Sequence, residues 1–170
     1  MEAFIEFLTV HFSDYAIWLI LAAAFIDSLV FTGLILYGFL MITMVGVFYT
    51  AGLVNEAEIF VVAFLGTYVG NCVNFLIGLK LQETKIVQKI LCRPQISTIT
   101  KRMQSNWLLL WMIPIRIVGF TRPLYAVTFA AFGMPPKKFF LFEFFVAAFW
   151  VALWLSILVF GTETYNYFAT

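Results

Sequence analysis

The feature that most limits what this chain can fold into is where its charges are missing. Four stretches, Tyr15–Val54, Ile59–Leu79, Trp107–Met134 and Phe139–Phe160, hold 111 of the 170 residues and four charged side chains: Asp27, Arg116, Arg122 and Glu143. The other fifteen charges fall in the remaining 59 residues. Only 11% of the chain is charged and 64% is hydrophobic, whereas a soluble domain carries about 25% charged residues. Such a chain cannot coat a folded surface with groups that water will solvate. The net charge of +1 also removes any bulk attraction for nucleic acid. The sequence therefore reads as an all-α polytopic membrane protein, with residues 1–170 forming one membrane domain.

A membrane-crossing helix needs about 20 apolar residues. Ile59–Leu79 and Phe139–Phe160 each fit one crossing. Tyr15–Val54 has room for two elements, and Trp107–Met134 is too long for one upright helix and is broken by Pro114, Gly119 and Pro123. Lysine and arginine favour the cytoplasmic side. The basic loop 80–106 carries Lys80, Lys85, Lys89, Arg93, Lys101 and Arg102, and Lys137 and Lys138 precede the last apolar stretch. By contrast, Asn55–Glu58 carries Glu56 and Glu58 and no base. With both basic regions inside, Trp107–Met134 must enter and return on one side, as a re-entrant hairpin.

The first unit, 15–79, has the same order as the second, 107–160. An interrupted apolar run, opening at Asp27–Gly33 and ending near Thr50, precedes an uninterrupted crossing. The expected architecture is thus two inverted units, each a re-entrant helical hairpin followed by a transmembrane helix. Paired broken segments in inverted halves point to a transport site at the midplane. Residues 1–14, with three acidic side chains and no Lys or Arg, read as an interfacial N-terminus rather than a signal peptide. Residues 161–170 read as a tail.

Arg116 and Arg122 are the sharpest chemical feature. A guanidinium at the bilayer centre costs about 2.5–3.5 kcal/mol on insertion scales and does not deprotonate. A turn at Gly119 could aim both at one cavity, where their donor forks suit a phosphate or carboxylate as substrate. Snorkelling, or pairing with Asp27 and Glu143, is the plainer alternative. Asp27, alone in a run of 40 residues, is the candidate proton-coupling group, with a structural salt bridge an equal alternative. Glu143 lies four residues into the last apolar stretch, where pairing with Lys137, Lys138 or the arginines near the interface is the expected role. Gly66, Gly70 and Gly78 form a small-residue face for close helix packing. Asn71 and Asn74, between them, could bond the broken backbone of a hairpin and are accessory candidates with Glu143. Cys72 and Cys92 suggest neither a disulfide nor a metal site, and His11 stands alone.

At this point the residues resemble those of the DedA family, also called SNARE-associated or VTT-domain proteins. Arg116, Arg122, Met134, Pro135, Pro136, Lys137, Lys138, Phe139 and Trp150 follow that family's second-half motif in order and without a gap. Gly66-Thr-Tyr-Val-Gly70-Asn71, then Phe75 and Gly78, resembles its first-half signature, and Asp27 stands where the family usually has Glu. The resemblance spans about residues 15–161. Three departures stand out. Leu34 replaces a second acidic residue, Gly119-Phe120 replaces Pro-Gly, and Val146 replaces a glycine.

The resemblance implies two re-entrant hairpins and movement of lipid across the bilayer, undecaprenyl phosphate or a phospholipid in its relatives. We therefore expect a flippase or scramblase of a bacterial inner membrane whose partners are membrane lipids with an anionic headgroup. Arg116 and Arg122 would bind phosphate and Asp27 would link exchange to protons. No cofactor or metal is expected, and a homo-oligomer stays open. The rival readings are a proton- or ion-coupled transporter of a small soluble solute, and a subunit that organises a partner through loop 80–106. No catalytic motif supports an enzyme.

Overall fold

The computed structural model describes residues 15–36, 38–91 and 124–169. Among the described residues every regular element is a helix, as apolar composition in a bilayer demands. They are α1 (Ala16–Ser28), α2 (Val30–Leu36), α3 (Phe39–Thr50), α4 (Glu56–Gln82), α5 (Lys85–Leu91), α6 (Tyr125–Ala131) and α7 (Pro136–Ala169).

Asn55 starts α4 with a capping box. Its side chain accepts from the Glu58 N–H at 2.9 Å, and Glu58 Oε2 accepts from the Asn55 N–H at 2.9 Å. Two of the four orphan amides at the helix start are thus satisfied where the chain enters the apolar layer. The helix then runs 27 residues with a mean hydropathy of 1.8 in its most apolar window. The other element long enough to cross is Pro136–Gly161 of α7, with a hydropathy of 2.3. Half of the α4 window is buried inside the protein against 17% of the α7 window. The central helix is therefore α4, and α7 gives most of its surface to lipid.

The small residues of α4 decide what packs on it. A Cβ added at Gly66 would lie 2.7 Å from the Leu21 carbonyl oxygen, and one at Gly70 2.7 Å from Ser28 Cβ. So α1 runs parallel to α4, backbone against backbone. A Cβ at Gly78 would lie 2.4 Å from the Val127 carbonyl oxygen, which seats α6 on the far end of the same helix. Helix α7 runs antiparallel to α4: Phe75 stacks on Phe139 at 4.1 Å between centroids, and Phe64 meets Phe144 edge-on at 5.1 Å. Two cores result. One joins Ile20, Ala24, Met41, Phe48, Ile59, Val62 and Val151. The other joins Phe75, Tyr125, Phe129, Met134 and Phe139.

The first apolar run is broken within Asp27–Gly33, as expected. Helix α1 stops at Ser28, Leu29 is extended (φ −66°, ψ 142°), and α2 departs at 98° to α1. Gly33, inside the expected interruption, is instead buried within α2. The return into α3 turns on Gly38, whose φ of 80° belongs to the left-handed region that glycine occupies without strain. Helix α3 then comes back beside α1, so the chain enters, reverses and leaves on the side where α4 begins.

Several boundaries differ from expectation. The basic stretch after Leu79 opens as helix, since α4 continues to Gln82 and α5 follows. Helix α7 continues through the expected tail to Ala169. The interfacial segment 1–14, the loop residues 92–106 and the first leg of the second hairpin lie outside the described residues. What is described of that hairpin is its return, α6, which turns at Gly133 (φ 82°) into α7.

Candidate functional site

Polar side chains buried at membrane depth are expensive unless bonded, so their partners show what each is for. Six are fully or nearly buried around α4: Asp27 and Ser28 of α1, Thr67, Asn71 and Asn74 of α4, and Glu143 of α7. All but Thr67 divide into two groups about one helical turn apart.

The first group closes the α1–α2 break. An extended residue between two helices strands the carbonyl before it and the amide after it. Asn74 takes both. Its Nδ2 donates to the Ser28 carbonyl at 2.7 Å and its Oδ1 accepts from the Val30 N–H at 2.9 Å. Ser28 Oγ donates back to the Ala24 carbonyl at 2.7 Å, and the Thr32 hydroxyl donates to the Ile26 carbonyl. Asp27, one residue earlier, reaches across the hairpin. Its Oδ2 accepts from the Met41 N–H at 2.7 Å, in the first turn of α3. A carboxylate there caps the incoming helix and meets the positive end of its dipole. The expected proton-coupling residue is thus tied into the backbone of the hairpin turn.

The second group lies between α4, α6 and α7. Glu143 has no exposed surface. Asn71 Nδ2 donates to its Oε1 at 2.7 Å, and the Tyr125 hydroxyl donates to its Oε2. Glu143 is thus enclosed by α4 and α6, and the arginines with which it was also expected to pair lie outside the described residues. Because α7 starts at Pro136, Glu143 lies about 10 Å along it, facing Asn71 near the middle of α4. Asn71 likewise bonds a carboxylate and not hairpin backbone. The Tyr68 hydroxyl bonds the Phe140 carbonyl at 3.4 Å on the same face.

Tyr125 stands outside every sequence motif named above. Its one signal is position: a hydroxyl at the head of the apolar leg that follows Arg122-Pro123. Its phenol ring packs edge-on against Phe129, with centroids 6.1 Å apart, and this aims the hydroxyl at α7. Arg116 and Arg122 lie outside the described residues, as does Cys92. Cys72 is a free, half-buried thiol. Among the described residues no cluster of His, Cys, Asp or Glu has the makings of a metal centre.

The arrangement combines a helix broken inside the apolar layer, a polar residue that keeps the break bonded, and two buried carboxylates with different kinds of partner. Irregular backbone at this depth persists only inside protein or beside a wet cavity.

The family model of the VTT domain matches residues 14–160, from the start of the first hairpin through the apolar part of α7. No curated protein and no solved structure gives a significant match. With most of its length covered by that model, and with broken and spanning helices where the Gly66–Gly78 signature and the Met134–Trp150 block fall, this chain is an integral membrane protein of the VTT-domain, or DedA, family.

Proposed function

We propose that this protein exchanges a phosphate-bearing lipid, undecaprenyl phosphate or a phospholipid, between the leaflets of a bacterial inner membrane. It acts as a flippase or scramblase and carries out no covalent chemistry. The observation that carries this reading is the 98° break between α1 and α2. Helix α1 has 13 residues, about 20 Å of rise against an apolar layer about 30 Å thick. A hairpin that turns inside the bilayer shortens the apolar path and admits polar groups partway across. A headgroup can then move while its chains stay in lipid.

Arg116 and Arg122 supply the phosphate ligands in this reading, through paired N–H donors. Asp27 and Asn74 keep the hairpin turn bonded while lipid passes.

The test is dithionite bleaching of fluorescent phospholipid and polyprenyl-phosphate probes in proteoliposomes of the full chain. The intact protein should bleach the inner-leaflet probe, and Arg116→Ala with Arg122→Ala should abolish this while leaving the protein monodisperse. Bleaching no faster than in empty vesicles with every probe would overturn the proposal. Ion-driven uptake of a soluble solute by the same vesicles would then identify a secondary transporter.

A further inference from the structure

The two ends of the helix bundle carry opposite charge. The Lys and Arg side chains among the described residues, Lys80, Lys85, Lys89, Lys137 and Lys138, all stand where α4 finishes, α5 follows and α7 starts. At the other end, where α4 starts and α7 finishes, the charged residues are Glu56, Glu58 and Glu163. Glu58 is engaged in the capping box of α4. Glu56 is exposed, and its Oε1 accepts from the Tyr49 hydroxyl at 3.1 Å.

Beside Glu56 a groove of about 520 Å³ runs between the two spanning helices, a volume within the range of small-molecule sites. Ala57, Ala152 and Ser156 line it with small side chains, and Phe60 and Leu155 with large apolar ones. The Ser156 hydroxyl donates to the Ala152 carbonyl at 2.8 Å, so its hydrogen is held by its own helix. The groove is therefore apolar along its length, and Glu56 is the one charged group that lines it.

Helix α4 has 27 residues, about 40 Å of rise against an apolar layer about 30 Å thick. Centred on that layer, it sets Glu56 among the headgroups, and Phe60 follows about 6 Å further in. On α7 the lining residues from Ala152 to Val159 cover about 10 Å of the same depth. Ala152 and Ser156 are exposed, and only 17% of the α7 window is buried inside the protein. What lies against such a face in a bilayer is lipid. An acyl chain suits the apolar slot, and the carboxylate at its mouth chooses the head. It attracts an ammonium ion and repels a lipid of net negative charge.

We propose that this groove holds one chain of a phospholipid whose headgroup carries an ammonium ion, with Glu56 as the counter-ion of that headgroup. The site lies on the flank of the α4–α7 pair and selects the positive part of a head, whereas the role proposed for Arg116 and Arg122 is to bind phosphate. It does not depend on lipid exchange.

The experiment is native mass spectrometry of the full chain, taken into mild detergent from vesicles of equal phosphatidylethanolamine and phosphatidylglycerol. The intact protein should carry one phosphatidylethanolamine, preferred by about two- to fivefold, the size of one exposed ion pair. Glu56→Gln, whose amide oxygen still accepts from Tyr49, should keep a bound lipid and lose the preference. Ala152→Phe, which fills the groove, should lose the bound lipid of either kind. Equal retention of both lipids by the intact chain, a preference for phosphatidylglycerol, or a preference that survives in Glu56→Gln would overturn the proposal. So would lipid kept by Ala152→Phe, or a lipid-free dimer of the intact chain that Ala152→Phe dissociates, since the groove would then seat a second copy. Should Ala152→Phe fail to fold, the Glu56→Gln comparison decides alone. Leaflet exchange in the same vesicles separates this site from the transport reading. Phosphatidylethanolamine retained by a chain that exchanges no lipid keeps the groove and discards transport, and exchange by a chain with no preference discards the groove alone.

Discussion

The turn of the first hairpin and the cluster around Glu143 solve the same problem in opposite ways. Both place polar atoms in an apolar layer, and both are served by an asparagine from α4, three residues apart. At the hairpin turn the polar atoms belong to backbone, and Asn74 and Asp27 satisfy the Ser28 carbonyl and the Val30 and Met41 amides. At the second cluster the backbone is intact helix, and the polar atoms are side chains that satisfy one another, Asn71 and Tyr125 on Glu143. Backbone groups have fixed donor or acceptor character, whereas hydroxyl and carboxyl groups can exchange it. The first region therefore bonds an irregular backbone, and the second ties the side chains of three helices to one another.

The largest break in this comparison should come from Asn74→Leu. It strands the Ser28 carbonyl and the Val30 amide together, and each orphaned buried group costs about 1–3 kcal/mol. The variant should unfold at markedly lower temperature in detergent scans. Asn71→Leu, which removes one side-chain donor from Glu143 and leaves every backbone group bonded, should lose less.

Next in size is a pair of glycine substitutions that pulls the regions apart. A Cβ at Gly78 would fall 2.4 Å from the Val127 carbonyl oxygen and 2.6 Å from Ala130 Cβ, and one at Gly70 2.7 Å from Ser28 Cβ. Each alanine should cost about 1–3 kcal/mol through overpacking. In hydrogen exchange, Gly78→Ala should loosen α6 and spare α1, and Gly70→Ala should do the reverse. If each loosened both regions equally, α4 would not separate them.

The smallest effect belongs to Asp27→Asn. The amide oxygen still accepts from Met41, and the charge–dipole part of the loss is about 0.3–1 kcal/mol. A loss as large as that of Asn74→Leu would show that Asp27 does more than cap α3.

Much of this was legible in the residues, for physical reasons. The gaps between charges located α4 and α7 because lipid excludes charge whatever the tertiary fold. Gly66, Gly70 and Gly78 marked the packed face of α4 because only a missing Cβ admits backbone so closely. The first hairpin was visible as an interrupted run opening at Asp27–Gly33, and its break falls within that stretch, at Leu29. An extended residue needs no glycine when Asn74, 44 positions from Val30, supplies the missing bonds. The enclosure of Glu143 was less legible for a related reason. Counting from the first apolar residue, Phe139, put it near the interface, but Lys137 and Lys138 are already inside α7. Its partners, Asn71 at 72 residues and Tyr125 at 18 residues away, belong to other helices and leave no trace in local pattern.

The most direct test of the account measures inner-leaflet bleaching of a polyprenyl-phosphate and a phospholipid probe in identical vesicles holding the intact chain, Arg116→Ala with Arg122→Ala, or no protein. The account predicts exchange faster than in empty vesicles for the intact protein and its loss in the double variant. An intact chain no faster than empty vesicles would contradict the lipid reading.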